Sequence, residues 1–223
     1  MPESPRSCQS INTVASNGTG NLLTSKQRNW TVFFAVLAAS TLASVAFLYG
    51  VGVSEDGVRV LLQLTARVAF VILLIIFVAR PLQQLFASKF TARLLRRRRL
   101  LGIAFTAVHS THLGLIFYRV YISDTFALSY SANTLGALVY LVILAMFATS
   151  FNSTARMLGP RNWKILHTIG LYVIFIAFAQ REVPRSLETA VEANWILTAL
   201  ALLALLLRGL PRLNWRGSPR FRA

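Results

Sequence analysis

The sequence predicts an all-α integral membrane protein, a six-helix bundle with its N- and C-termini cytoplasmic. Three observations carry that prediction. Of the 223 residues, 55% are hydrophobic and only 13% charged, with a mean hydropathy of +0.58; soluble domains carry roughly a quarter charged residues. The apolar residues fall into six runs, each near the ~20 residues that a helix needs to cross hydrocarbon. The basic residues collect in alternate connections between those runs.

In order, the runs are residues 30–51, 58–79, 100–122, 128–151, 163–180 and 193–207. In lipid each can satisfy its backbone hydrogen bonds only as a helix. Residues 1–28 precede them, rich in Ser, Asn, Thr and Gly, and read as a disordered leader. The first run is too long, and too far from Met1, for a cleavable signal. Residues 29–208 form one six-span membrane domain, and residues 209–223 a basic cytoplasmic tail. No internal repeat is apparent. No Walker, GxGxxG or Ser-His-Asp signature marks a soluble catalytic domain.

A net charge of +16, from 23 basic and 7 acidic residues, would suggest nucleic acid in a soluble chain. Here the cations flank apolar runs, so the membrane accounts for them and no nucleic-acid partner is expected. The leader carries Arg6, Lys26 and Arg28. The second connection carries Arg80, Lys89, Arg93, Arg96, Arg97, Arg98 and Arg99; the fourth, Arg156, Arg161 and Lys164. The tail has Arg208, Arg212, Arg216, Arg220 and Arg222. The other connections hold Glu55, Asp56, Asp124, Glu182, Glu188 and Glu192. The positive-inside rule therefore places the leader, the Arg-rich connection and the tail in the cytoplasm. The sequons at Asn17 and Asn152 then face the cytoplasm and stay unglycosylated. Cys8 is the only cysteine, which excludes an internal disulfide and a cysteine-ligated iron–sulfur cluster.

The histidines are the candidate functional residues. His109 and His112 lie one turn apart on the third span and share a face. His167, the only other histidine, lies near the start of the fifth span, which runs parallel to the third. Two readings compete. In one, each imidazole donates a hydrogen bond to a neighbouring helix carbonyl and does nothing else. In the other, imidazole nitrogens ligate haem iron between helices.

The segments "RRLLGIAFTAVHSTHL" and "TSFNSTARMLGPRNWKILHTIGLY" together resemble the ferric-reductase-like transmembrane domain family, and within it the haem-binding membrane subunits of bacterial periplasmic methionine sulfoxide reductase systems. Gly102 to His112 reproduces that family's ten-residue spacing, and Trp163-Lys-Ile-Leu-His167 its second motif. "LTARVAFVILLIIFVARPL", with Arg67, is similar to the family's second span. The family places another histidine 13 residues after His167, where this chain has Gln180. The family register implies two layers: Arg98, Arg99 and His167 on the inner side, His112 and Gln180 on the outer. Thirteen residues of helix separate them by roughly 20 Å. The resemblance implies His112 and His167 as iron ligands, His109 as an extra imidazole, and Arg98, Arg67 and Gln180 around the cofactor. Arg67 pairs either with a haem propionate or with helix carbonyls.

Other residues have plainer readings. Trp30, Trp163, Trp195, Tyr118 and Tyr121 lie near span ends, as interfacial anchors do. The arginines at 96–99 form a topology anchor that meets anionic membrane lipid. The resemblance implies a multi-pass protein of the cell inner membrane, a b-type cytochrome-like carrier. It would take electrons from a cytoplasmic flavin-linked reductase or a quinone to an extracytoplasmic redox partner. Haem b is the expected cofactor, with a flavin as a second candidate. The chain would be the electron-transfer subunit of an oxidoreductase system. The alternative is a degenerate family member without haem, acting as a membrane scaffold.

Overall fold

The computed structural model describes residues 25–122, 130–188 and 192–214. Every described element is an α-helix: α1 Ser25–Val51, α2 Glu55–Leu85, α3 Lys89–Ile122, α4 Tyr130–Ala148, α5 Asn152–Leu158, α6 Pro160–Glu188 and α7 Glu192–Asn214. Five of the expected apolar runs lie on helices, the fourth (128–151) lies on one only over Tyr130–Ala148, and α5 is an additional short helix. Among the described residues, four helices are long and apolar enough to cross a membrane: α1, α2, α3 and α6. The segments Thr134–Ala148 and Asn152–Leu158 make a fifth if taken as one span bent by 105°. Trp195–Leu210 of α7 is a shorter apolar helix. Cys8, Asn17 and most of the leader and tail lie outside the described residues.

The connection expected between the second and third spans is largely helical. α2 continues to Leu85 and α3 already starts at Lys89, eleven residues before the apolar run. Leu and Arg are good helix formers, so the helices outlast the apolar pattern that marks the span. Polar caps set the turns. Ser54 Oγ accepts from the Gly57 N–H at 3.1 Å ahead of Glu55 and Asp56, an N-cap followed by acids that suit the helix dipole. Gly159 (φ +77°) joins α5 to α6.

Side-chain contacts fix which ends lie together. Trp30 of α1 stacks on Phe151 after α4, centroids 5.0 Å apart. Arg99 near the start of α3 donates to the Ser150 carbonyl and to Asn152 Oδ1. Trp163 of α6 donates to the Thr149 carbonyl at 2.9 Å. At the other end Glu55 of α2 pairs with Arg119 of α3 at 3.5 Å. The long helices therefore alternate in direction, and the cationic connections gather at one end of the bundle.

The core lies between α2 and α6. Phe70 stacks on Phe178 (5.3 Å) and Phe77 on Phe175 (4.4 Å); Leu73, Leu171 and Ile174 fill the space between, with Phe105, Ile143 and Ala201 from neighbouring helices. α4 reaches α6 closely at Gly170, where a Cβ would come within 2.5 Å of Met146 Sδ. Apolar side chains left exposed, such as Leu42, Leu141 and Leu206, suit a surface facing lipid.

α7 is locked to α2 by a repair. Pro81 lies inside α2 and has no N–H to give the carbonyl four residues earlier. Arg208 Nη1 donates to that carbonyl, Phe77 O, at 2.9 Å, while its Nε donates to Tyr172 Oη at 2.8 Å. Its guanidinium also lies 4.2 Å from the Phe77 ring centroid. Arg208→Met is expected to destabilise the detergent-solubilised protein by roughly 1.5–3 kcal/mol, the scale of a hydrogen bond to a charged group. The loss should shrink in a Pro81→Ala background, where a backbone donor is restored. Thermal unfolding of the four proteins of that double-mutant cycle measures the coupling.

Candidate functional site

α3 carries a column of three rings. Phe105, His109 and His112 follow at helical spacing. His109 stacks on Phe105 (5.3 Å, 14°) and on His112 (5.3 Å, 18°). Tyr140 of α4 and Phe178 of α6 close around His109 at 4.8 and 5.7 Å, and the Tyr140 hydroxyl donates to the His109 carbonyl at 3.2 Å. His109 is only 6% exposed, and its Nδ1 has no hydrogen-bond partner among the described residues.

The other two imidazoles are each held by a threonine. His112 Nδ1 lies 2.8 Å from Thr65 Oγ1 of α2. That hydroxyl donates to the Leu61 and Leu62 carbonyls (3.0 and 3.1 Å). Carbonyls only accept, so the hydroxyl proton is committed there and Thr65 Oγ1 accepts from His112 Nδ1–H. The lone pair of His112 then resides on Nε2. His167 Nε2 lies 3.1 Å from Thr149 Oγ1, whose proton goes to the Ala145 carbonyl at 2.7 Å. By the same argument Nε2 of His167 carries the proton and Nδ1 the lone pair. Trp163 stacks on the His167 ring at 4.3 Å.

His167 opens onto a cavity of about 900 Å³ at the cationic end. Leu73, Phe105, Ile143 and Ile174 supply its apolar floor; Arg80, Arg96, Arg98, Arg99, Arg156 and Lys164 border it, with no carboxylate among the lining residues. Phe105 thus touches both the cavity and the histidine column.

The residues singled out in the sequence divide accordingly. Arg98 and His167 line one cavity, and His109 and His112 form one stack. Arg67 is half-buried on α2 and Gln180 exposed on α6; neither lines the cavity. Thr65, Thr149, Phe105 and Tyr140 escaped sequence reasoning. Three are ordinary residues of apolar helices and Thr149 lies in the turn after α4; only the partner on another helix gives each a role.

Helices of span length, imidazoles set inside them by hydroxyls, and one apolar cavity with a cationic rim define a polytopic helical membrane protein with a built internal site. The chain is 30% identical over 171 residues to the protein-methionine-sulfoxide reductase heme-binding subunit MsrQ of Salmonella arizonae, covering 74% of this chain and 83% of that one. It is 31% identical over 132 residues to the proteins of the same name from Salmonella newport and Salmonella dublin, covering 56% of this chain and 64% of each of those. No family model and no solved structure matches it. The chain belongs to the MsrQ family.

An unsatisfied buried nitrogen costs roughly 1–3 kcal/mol. His109→Phe keeps a ring in the stack and removes that nitrogen, so it should raise the thermal midpoint of the ligand-free protein. A lower midpoint would show that Nδ1 has a partner in solution.

Proposed function

We propose that the chain is the haem-binding inner-membrane subunit of a methionine sulfoxide reductase system, carrying electrons across the bilayer through b-type haem. The observation that carries this reading is the cavity, where an imidazole, an apolar floor and an acid-free cationic rim share one space. Its volume falls within the roughly 300–1,000 Å³ of ordinary ligand pockets. Haem, a flat apolar macrocycle with two carboxylates, fits that donor set. His167 would hold it there, with Arg98 and its neighbours on the carboxylates. When bound, haem supplies a one-electron couple whose potential follows from axial ligand, hydrogen bonding and dryness.

The chain's own residues do the rest. Thr65 orients His112 and, by accepting its Nδ1–H, raises the basicity of Nε2. This makes His112 the ligand of the second level, with His109 a secondary one a turn away. Thr149 fixes the His167 ring in the same way. Leu73, Phe105 and Ile174 exclude water. Arg67 pairs with a propionate or with helix carbonyls. Gln180, with its side chain exposed, has no ligand role in this reading.

The proposed topology has six spans, counting the bent α4–α5 pair and α7, with both termini and the cationic end cytoplasmic. Residues 1–28 are the leader and 209–223 the tail. A flavin-linked reductase or a quinone supplies electrons at the cationic end, and the sulfoxide-reducing partner takes them at the other. Only Arg59, Arg119, Arg181 and Arg185 among the basic residues fall at the acidic end. Reporter fusions should read residue 90 and the C-terminus as inside and residues 55 and 187 as outside; an outside signal at residue 90 overturns the topology.

Purified after expression with ample haem, the protein should show a Soret band. His112→Ala and His167→Ala should each lose most of it, and His109→Ala less. Absence of the band in the wild type overturns the electron-transfer reading and leaves the scaffold. A larger loss in His109→Ala than in His112→Ala exchanges the roles of the two imidazoles.

A further inference from the structure

At the cationic end, α2 and α3 continue beyond the level at which α4 ends. Arg99 bonds the backbone and side chain just after α4, and Trp163 and Trp30 meet the same turn. Tryptophans gather at the membrane–water interface, so the end of α4 marks that level. The residues of α3 from Lys89 to Arg98 precede Arg99 and rise about 15 Å at 1.5 Å per residue. The headgroup layer on one side of a bilayer is only roughly 5–7 Å thick. The tip of the hairpin therefore stands in water, beyond the lipid.

That tip is tightly braced and apolar. The Phe86 N–H donates to the Leu82 carbonyl at 2.8 Å. The Ser88 N–H donates to Thr91 Oγ1 at 3.1 Å, and the Thr91 N–H to Ser88 Oγ at 3.2 Å. The Thr91 hydroxyl donates to the Phe86 carbonyl at 2.7 Å. The bracing presents Phe86 and Phe90, 62% and 70% exposed. Lys89, Arg93 and Arg97 are exposed beside them. Phe90, Arg93 and Arg97, at i, i+3 and i+7, share one face of α3. No acid occurs between Asp56 and Asp124.

Charge and height select the occupant. Phospholipid does not reach the tip. A second copy of this chain, or its own Arg-rich tail, meets like charge. Two aromatic rings flanked by cations fit an apolar notch ringed by carboxylates. We propose that the α2–α3 tip is the docking surface for a water-soluble protein with an acidic face, seated over the cavity mouth that Arg80, Arg96 and Arg98 border. The surface stands on this geometry; that its occupant delivers electrons rests on the function proposed above.

The test places the photo-crosslinker benzoylphenylalanine at position 90 of the full chain in living cells. The expected adduct is one soluble, net-acidic polypeptide, identified from its cross-linked peptides and lost when Arg93→Glu and Arg97→Glu are added. Purified, that polypeptide should bind the chain in phosphatidylcholine nanodiscs, more weakly as salt rises. Phe86→Ser with Phe90→Ser should weaken it by about tenfold or more, as truncated aromatic anchors do. Adducts with phospholipid alone, with this chain alone or with nothing overturn the proposal. So does a partner that binds the Ser and Glu variants as tightly as the wild type. An unchanged Soret band in the variants separates a docking defect from misfolding. A wild type without a Soret band would sink the haem reading while leaving the cross-link result intact.

Discussion

A hydrocarbon surround offers polar groups no solvent, so each one inside the bundle must find its partner in the protein. The partnerships found are what position the site. Thr65 and Thr149, each back-bonded to its own helix, give His112 and His167 an acceptor on a neighbouring helix. Ser40 of α1 bonds Thr111 of α3 at 2.7 Å, on the residue next to His112. Arg208 answers the carbonyl that Pro81 leaves open. Imidazole orientation is thus a product of helix packing, and a shift of α2 or α4 would turn a ring along with it. His109 Nδ1 and Thr198 Oγ1 are among the buried polar atoms left without a hydrogen-bond partner among the described residues.

Electrostatics then separates the two ends. Glu55 and Arg119 neutralise each other at one. At the other, guanidinium and ammonium groups border one cavity without a carboxylate among them. Cations facing a common low-dielectric space focus their field into it.

Helix content and the alternation of charge were legible in the sequence because lipid admits few solutions: a long apolar run becomes a helix, and arginines stay at its ends. The pairing of His109 with His112 was legible too, since residues three apart on a helix share a face. What the sequence hid was lateral. Nothing in the spacing of Thr65 or Thr149 says that a histidine of another helix will seek its hydroxyl, and nothing around Phe105 says that it faces both a cavity and a histidine. The helical extension of α3 back to Lys89 was hidden for another reason: an apolar pattern reports where lipid begins, not where hydrogen bonding stops.

α3 joins these parts mechanically. Thirteen residues separate Arg99 from His112, roughly 20 Å of helix, with Phe105 and His109 stacked between. The helix is tied at two levels, by Arg99 to the bend between α4 and α5 and by Arg119 to α2. A helix so held cannot slide along its axis without breaking both ties. His109 and His112 are therefore held at fixed positions one turn apart. Thr65 distinguishes the two, because it bonds His112 and leaves Nε2 with the lone pair, while His109 Nδ1 has no hydrogen-bond partner among the described residues.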